Sequence, residues 1–336
     1  MSDTNPTLTI RYAVRCDPGH GRDSNEDVAY ASDRLLAVAD GTRGAGAAAS
    51  TAAVNALKAL ELADKPAVDL LAMLAATVND VDRAVHATST DDNQPATTLT
   101  AMLRRGSQLA LVHIGDTRVY LLRGGELSQL TQDHTWVQSQ VEYGKLSPDQ
   151  AAANPQRALL TRALGGRSQP VEADLALRTA LAGDRYLLCS DGLSAVVSRS
   201  DLHTALAETG EPEPTAQRLI DLAYAAGAPD NIACIVADIV AALRRRQHGS
   251  QPQRGLHDIR DDVACPYGRP GRSAESRADR AASPPPARRS RPFAVSGPGP
   301  PTTCRSADAS TRAPIPLHTA SPYAQGSDPC AANSSD

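Results

Sequence analysis

Aromatic residues are scarce in this sequence, and long apolar runs are absent. The 336 residues include one Trp, one Phe and eight Tyr. No stretch approaches the roughly 20 consecutive apolar residues that a bilayer-spanning helix requires. The first residues also lack the basic, apolar and small-residue order of a secretion signal. The sequence therefore predicts a cytoplasmic protein without a membrane span, and its 41% hydrophobic residues are enough to form a core.

The cysteines are few and widely scattered, and no two form a C-x-x-C pair. This spacing argues against a zinc cage and against a disulfide-dense scaffold. Cys189 and Cys234 lie in apolar segments, so we expect them to be small core residues rather than nucleophiles. The sequence predicts that all six are reduced thiols: Cys16, Cys189, Cys234, Cys265, Cys304 and Cys330.

Charge and proline divide the chain near residue 241. Residues 1–241 carry a net charge of −10, and residues 242–336 carry +6 and 14 of the 24 prolines. The second part contains only seven Leu, Ile or Val residues, too few to offset the entropy of ordering its backbone. We therefore predict a folded domain over 1–241 and a Pro/Arg/Ser-rich disordered tail over 242–336. Short Arg clusters in such a tail are interpreted as solvated, so no nucleic-acid partner is expected.

Hydrophobic periodicity predicts an α+β domain. Strand patterns occupy residues 9–15, 28–32, 35–39, 98–103, 109–114, 119–123, 126–131, 172–178, 184–189 and 232–240. The four segments from 98 to 131 are interpreted as one antiparallel meander. Helical patterns occupy residues 45–62, 66–87, 133–164, 200–208 and 215–225. Consecutive hairpin strands flanked by helix pairs favour antiparallel sheets covered by helices over an alternating parallel fold.

Acidic residues stand at the ends of several predicted strands. Any single Asp-Gly or Asp-Asn pair is most often a turn former. Four such clusters beside apolar strands instead favour carboxylates that converge at one rim of the sheets. Crowded carboxylates require a cation, and oxygen ligands select Mg²⁺ or Mn²⁺ over Zn²⁺. The four clusters are Glu26-Asp27, Asp40-Gly41, Asp191-Gly192 and Asp230-Asn231.

The order of these motifs resembles the type 2C metal-dependent protein phosphatases, particularly their bacterial branch. The similarity covers about residues 9–241 and runs through GRDSNED, VADG, TTLTAML, LVHIGDTRVYLLRGGEL, LLCSDGLS and PDNIACIVADIV. The segment from residue 131 to 166 is similar to the region that covers the active site in that family. The resemblance implies an α-β-β-α sandwich of two antiparallel sheets flanked by helix pairs.

The resemblance also implies roles for particular residues. Two Mn²⁺ or Mg²⁺ ions would be bridged by Asp40, and the Gly41 carbonyl, Asp191 and Asp230 would complete their ligands. Arg22 would grip the phosphate, since a guanidinium suits bidentate contact with phosphoryl oxygens. Asp116 would bind a third, weaker metal ion. Glu26, Asp27 and Asn231 would contact these ligands without binding the metal ions themselves.

The function implied is phosphoserine/phosphothreonine protein phosphatase activity, in which metal-activated water attacks phosphorus directly. Ser/Thr kinases and their substrates would be the partners. A catalytically weak, phosphatase-like regulatory binding module is the alternative, because the loop at residues 42–49 is altered and Arg43 adds a cation there. Ala96 also stands where the family usually has glycine. His113, inside an apolar strand, is interpreted as a buried core histidine rather than a general acid.

Overall fold

The structure is a computed structural model that describes residues 7–42, 45–61, 67–90, 92–166, 170–208, 210–242 and 263–264. Its strands are β1 (Leu8–Asp17), β2 (Asp27–Ala31), β3 (Leu35–Thr42), β4 (Ala96–Thr97), β5 (Leu99–Arg105), β6 (Gln108–Ile114), β7 (Arg118–Arg123), β8 (Glu126–Gln129), β9 (Asp174–Thr179), β10 (Arg185–Cys189), β11 (Ile232–Ala241) and β12 (Val263–Ala264). Its helices are α1 (Gly46–Glu61), α2 (Ala67–His86), α3 (Trp136–Glu142), α4 (Pro148–Ala152), α5 (Asp191–Ser194), α6 (Arg199–Glu208) and α7 (Pro212–Ala225).

The strands form two antiparallel sheets. One has the order β1-β11-β10-β7-β8, and the other has the order β12-β2-β3-β5-β6-β9, with β4 paired to β3. The prediction of one meander from 98 to 131 is wrong, because β5 and β6 belong to one sheet and β7 and β8 to the other. The strand patterns were correct, but alternation within a strand does not show which sheet the chain joins after a turn.

Continuous apolar strands explain why the layers stack. In β3, Leu35 and Ala37 face the helices α1 and α2, whereas Leu36 and Val38 face the second sheet. A strand buried on both faces reads as an unbroken apolar run, as in LLAVA. These contacts make two apolar layers, one between the helices and the sheet of β3 and one between the two sheets. A third apolar layer lies between β10 and β11 and the helices α6 and α7. The three layers together make the predicted α-β-β-α sandwich, with a helix pair on each outer face.

Other differences from the sequence prediction concern the region before β9 and the chain beyond β11. The predicted helix at 133–164 is instead two short helices, α3 and α4, joined by turns, because Gly144 and Pro148 interrupt the pattern. Short α5 follows β10 and was not predicted. Within the predicted tail, β12 pairs with β2. The remainder of the tail after Ala242 lies outside the described residues, and the boundary at 241 stays a prediction.

The cysteines and helices test two further expectations. Cys189 and Cys234 are free and buried, as predicted. Cys16 is disulfide-bonded, so the prediction of six reduced thiols is wrong for this residue. Spacing in sequence does not show which cysteines the fold brings together. Within the described part of the chain, each helix is too short or too polar to cross a membrane.

Candidate active site

Asp40 lies near the end of β3, where two threonines fix its peptide group. The Asp40 N–H donates to Thr98 Oγ1 at 2.9 Å. The Asp40 carbonyl accepts from the Thr97 hydroxyl at 2.9 Å and from the Thr98 N–H at 2.9 Å. Ala96 stands where the family usually has glycine. It lies in β4, pairs with Thr42 of β3, and has no positive φ. The substitution therefore introduces no backbone strain, and sequence reasoning missed what the paired threonines do.

Asp191 and Asp230 are brought together by a close backbone approach. Asp191 is the first residue of α5, directly after β10, and Asp230 precedes β11. A Cβ placed on Gly192 would lie 1.9 Å from the Asn231 carbonyl oxygen. Only glycine permits this contact, because any side chain at this position would push the two segments apart.

Asn231 holds the loop that carries Arg22 and Glu26. Its Nδ2 donates to the Pro18 carbonyl at 3.0 Å and to the Ser24 carbonyl at 2.8 Å. Its Oδ1 accepts from the Glu26 N–H at 2.9 Å. Three hydrogen bonds from one amide thus fix the geometry of this loop.

The fold gathers the predicted residues around a pocket of about 190 Å³, called the acidic pocket here. Of the predicted residues, only Asp27 lies outside its lining: this residue is 3% exposed and pairs with Asp40 across β2 and β3. Sequence reasoning missed four lining residues that supply hydroxyl and apolar surface. The complete lining is Arg22, Glu26, Asp40, Gly41, Thr42, Thr98, Asp116, Ala158, Leu160, Asp191, Asp230 and Asn231.

Burial and mutual repulsion disfavour ionisation of these carboxyl groups. Burial is the main cause of the raised pKa values of Asp40, Asp116 and Asp191, and neighbouring carboxylates add to it. The pKa of Glu26 is also raised, chiefly by burial. The pKa of Asp27 rises to about 7, mainly through burial, although Ser190 and Asp40 lower it somewhat. Neither carboxylate oxygen of Asp27 has a hydrogen-bond partner of normal geometry among the described residues.

Arg22 is the one cationic side chain in the described lining of the acidic pocket. Its Nε lies 2.8 Å from Asp230 Oδ1, and its Nη2 donates to Asp230 Oδ2 at 2.9 Å. This hydrogen bond is the main cause of the raised pKa of Arg22. The sequence predicted Arg22 as a phosphate clamp and Asp230 as a metal ligand, with no contact between them. In the structure, the Arg22 guanidinium instead makes its bidentate contact with the Asp230 carboxylate. A guanidinium contacts two phosphoryl oxygens with the same fork.

The donor chemistry of the acidic pocket fits a divalent metal. Its potential ligands are carboxylate and carbonyl oxygens, the set that Mg²⁺ and Mn²⁺ prefer. The buried Asp27 carboxylate, which lies beside Asp40 and has no hydrogen-bond partner of normal geometry among the described residues, also favours a nearby positive charge. Within the described ranges, no three His, Cys, Asp or Glu side chains surround a single point closely enough to hold one ion. The carboxylates converge without forming a preassembled metal cage.

Comparison with known proteins identifies the family. The family model for protein phosphatase 2C matches residues 19–223, which is more than half of the chain. This chain belongs to the protein phosphatase 2C family. The serine/threonine protein phosphatase PstP of Mycobacterium tuberculosis is 49% identical to it over 239 residues, which make up 70% of this chain and 46% of the relative. The chain thus spans about half the length of the first curated relatives that it matches.

Solved structures agree with this assignment. The crystal structure of the M. tuberculosis phosphatase PstP/Ppp has a TM-score of 0.65 and 48% identity, and covers 69% of this chain and 99% of that chain. The catalytic domain of PstP, solved in complex with two manganese ions, has a TM-score of 0.64 and 47% identity, and covers 70% of this chain and 100% of that chain. This chain therefore shares the fold of the PstP catalytic domain.

The structure describes part of the altered segment at residues 42–49. Arg43 lies outside the described residues, so its effect stays a prediction. Helix α1 begins within this segment, at Gly46, where an added Cβ would lie 2.6 Å from the Gly41 carbonyl carbon and 2.7 Å from Glu26 Oε2. The first residue of α1 therefore packs closely against Gly41 and Glu26, which a glycine permits.

His113 and His134 lie behind the turn that carries Asp116. His113 is buried and both its ring nitrogens have partners, Thr100 Oγ1 at 2.8 Å and the Gln132 carbonyl at 2.9 Å, as expected for a core histidine. Burial lowers its pKa to about 4. His134 was not singled out from the sequence. Its Nδ1 accepts from the Gly115 N–H at 3.1 Å, and its backbone N–H donates to the Gly115 carbonyl at 2.7 Å. His134 Nε2 lies 3.2 Å from Asp174.

Two substitutions separate the contacts of His134. In His134→Asn, Oδ1 can replace Nδ1 as the acceptor for Gly115, and the Asp174 contact is lost. In His134→Gln, Nε2 can reach Asp174, but the buried Gly115 N–H loses its acceptor. We expect His134→Gln to be less stable than His134→Asn by about 1–3 kcal/mol, measured as the free energy of unfolding in urea. A more severe loss in His134→Asn would show that the contact with Asp174 matters more.

Proposed function

We propose that this protein is a metal-dependent phosphoserine/phosphothreonine protein phosphatase. The observation that carries the proposal is the convergence of Asp40, Asp116, Asp191 and Asp230 with Arg22 in one small pocket. Membership of the type 2C family and the manganese-bound structure of a relative support it.

The residues that would hold two Mn²⁺ or Mg²⁺ ions are Asp40, the Gly41 carbonyl, Asp191 and Asp230, and Asp116 would contribute to a third site. When bound, the metals supply a water of lowered pKa and positive charge for the phosphoryl oxygens. Arg22 binds and orients the phosphate through its bidentate fork. Asn231 holds the loop of Arg22 in place, and Thr97 and Thr98 fix the peptide of Asp40.

A covalent cysteine route has no support in this geometry. Cys189 and Cys234 are fully buried in the described core, and neither lines the acidic pocket. Burial raises the pKa of both thiols, to about 12 for Cys234. Both would therefore remain protonated and inert at neutral pH.

The substrates that we propose are phosphorylated proteins, including Ser/Thr kinases and the proteins that those kinases phosphorylate, in the cytoplasm. The family of the chain and the name of its relative, a serine/threonine protein phosphatase, support phosphorylated proteins as the substrate class. Thiols stay reduced in the cytoplasm. The disulfide of Cys16 in the structure therefore counts against that location. Recovery of Cys16 as a free thiol from rapidly quenched cells would support the cytoplasm, and recovery of the disulfide would overturn it.

The decisive experiment is hydrolysis of p-nitrophenyl phosphate and a phosphothreonine peptide by the full chain, with Mn²⁺, with Mg²⁺ and with EDTA. Turnover that depends on metal and is restored by adding Mn²⁺ to the EDTA-treated protein is the expected result. A folded protein that binds Mn²⁺ and the phosphopeptide without turnover would instead identify the regulatory binding module. Absence of both binding and turnover would contradict the proposal.

Substitution of Arg22 tests its assignment as the phosphate clamp. Arg22→Ala should raise KM for p-nitrophenyl phosphate by about 10-fold and lower kcat less, because the contact acts on the bound phosphate. Arg22→Lys should recover only part of the loss, since an ammonium cannot form the bidentate fork. The control is Arg83→Ala on α2, which removes an exposed arginine paired with Asp80. An unchanged KM in Arg22→Ala would remove Arg22 from substrate binding.

A further inference from the structure

A second and larger pocket adjoins the acidic pocket. It has a volume of about 460 Å³ and lies between the short helices α3 and α4 and the start of α5. Asp116, Ala158 and Asp191 line both pockets, so the two share a wall. We call this second cavity the side pocket.

Seven of the 15 residues that line the side pocket are apolar, and Thr135, Gln138 and Ser194 add uncharged polar groups. The apolar residues come from α3, from α4, from the turn after α4 and from the position just after α5: Val137, Val141, Pro148, Ala151, Ala152, Ala158 and Ala195. Val137 and Ala151 are buried, so the scaffold packs behind the wall that they form. Cavities with such walls favour an apolar side chain of a ligand.

The charged residues in the side pocket do not reverse this preference. Arg118 and Asp133 neutralise one another, with Nε 2.9 Å and Nη2 2.6 Å from the two carboxylate oxygens. Asp116 and Asp191 stand on the wall shared with the acidic pocket, and Arg157 is exposed. The interior between α3 and α4 therefore carries no unpaired charge from the described residues apart from the shared wall and Arg157.

The volumes of the two pockets suit different parts of a phosphopeptide, the phosphoryl group in the acidic pocket and an adjoining side chain in the side pocket. The acidic pocket, at about 190 Å³, has room for a phosphoryl group and little more. A chain attached to that group must leave it, and the side pocket begins at the same carboxylates. A third pocket of about 440 Å³ shares Thr42, Ala158 and Leu160 with the acidic pocket. None of the carboxylates of the acidic pocket lines this third pocket. Of the side pocket and the third pocket, only the side pocket shares carboxylates, those of Asp116 and Asp191, with the acidic pocket.

We propose that the side pocket is a specificity site that binds an aliphatic side chain of the substrate, from a residue close to the phosphoserine or phosphothreonine. The proposal rests on the proposed phosphatase function. It identifies the preferred substrate class as phosphopeptides with Leu, Ile or Val near the phosphorylated residue. A basic side chain at that place would gain nothing from the self-neutralised Arg118 and Asp133.

The test uses phosphothreonine peptides in an alanine background with one Leu at position −2, −1, +1 or +2. Matched sets carry Lys or Asp at the same positions. The full chain with Mn²⁺ should hydrolyse at least one Leu peptide with a KM about 5-fold or more below that of the all-Ala peptide, since burial of an aliphatic side chain is strongly favourable. A preference for Lys or Asp, or equal KM values at all positions, would overturn the proposal.

Two variants fill the side pocket. Ala152→Trp places a bulky side chain at the end of α4, and Ala195→Trp does so just after α5. Both should remove the Leu preference, while kcat/KM for p-nitrophenyl phosphate stays within about 2-fold because the small substrate does not reach the side pocket. The matched control is Ala225→Trp, an exposed alanine at the end of α7 that lies outside the side pocket. Melting temperatures identify a variant that fails to fold.

The outcomes distinguish the two proposals. A Leu preference that persists in both folded pocket-filling variants would show that the aliphatic side chain binds elsewhere. Loss of the preference in the Ala225→Trp control as well would also contradict the assignment. Absence of turnover with p-nitrophenyl phosphate and with every peptide would instead count against the phosphatase function itself.

Discussion

Asp40→Asn should abolish metal-dependent hydrolysis of p-nitrophenyl phosphate, with a loss of at least about 10³-fold in kcat, because removing one preorganised electrostatic contact already costs about 10²–10³. Asp40 lines the acidic pocket and is paired with Asp27 in the register of β2 and β3. The change from a carboxylate to an amide removes the negative charge that would bridge two cations. Steady-state kinetics over a range of Mn²⁺ concentrations measures the effect.

The same variant should remain folded. Burial and the neighbouring carboxylates disfavour ionisation of Asp40, so a neutral amide relieves repulsion in the metal-free protein. Its melting temperature in EDTA should therefore equal or exceed that of the unmodified chain. Asp221→Asn, on the exposed face of α7, is the matched control and should leave kcat unchanged. Full activity of Asp40→Asn would contradict the assignment of the whole pocket, whereas an unfolded variant would contradict the electrostatic argument.

Much of the framework could be predicted from local sequence patterns. Runs such as LLAVA are apolar at every position, and their burial between two layers follows from that pattern. The Asp-Gly pairs after apolar strands predicted that their carboxylates converge, and Asp40 and Asp191 line the same acidic pocket. These predictions succeeded because each depends on the chemistry of a few adjacent residues.

Contacts between distant segments could not be predicted in this way. The chain moves to the other sheet between β6 and β7, and no residue in the Asp116 turn indicates that change. The pairing of Arg22 with Asp230 joins residues 208 positions apart. The role of His134 depends on the position of Gly115, which has φ of +103° and almost no space beside Thr98. Such arrangements result from packing of the whole domain rather than from local preference.

Asp27→Asn should make the stability of the metal-free protein less dependent on pH. Asp27 is buried without a hydrogen-bond partner of normal geometry among the described residues, and its pKa rises from 3.8 to about 7 mainly through burial. A raised pKa in the folded state means that the protonated carboxyl favours folding. That stability is complete below about pH 4, and it is lost as the pH rises through about 7. An amide at this position has no ionised form to bury.

The difference in free energy of unfolding between Asp27→Asn and the unmodified chain should therefore grow with pH. It should be near zero at about pH 4 and reach at most roughly 4 kcal/mol above pH 7, because a tenfold change in proton affinity between the folded and unfolded states corresponds to about 1.36 kcal/mol. Urea titrations in EDTA, between these two pH values and slightly above, measure this difference in free energy of unfolding. The titration of His113 cancels because both proteins contain that residue. Mn²⁺ should shrink or reverse the difference, since a bound cation favours the ionised carboxylate. A difference that stays constant across this range would show that Asp27 does not titrate on unfolding.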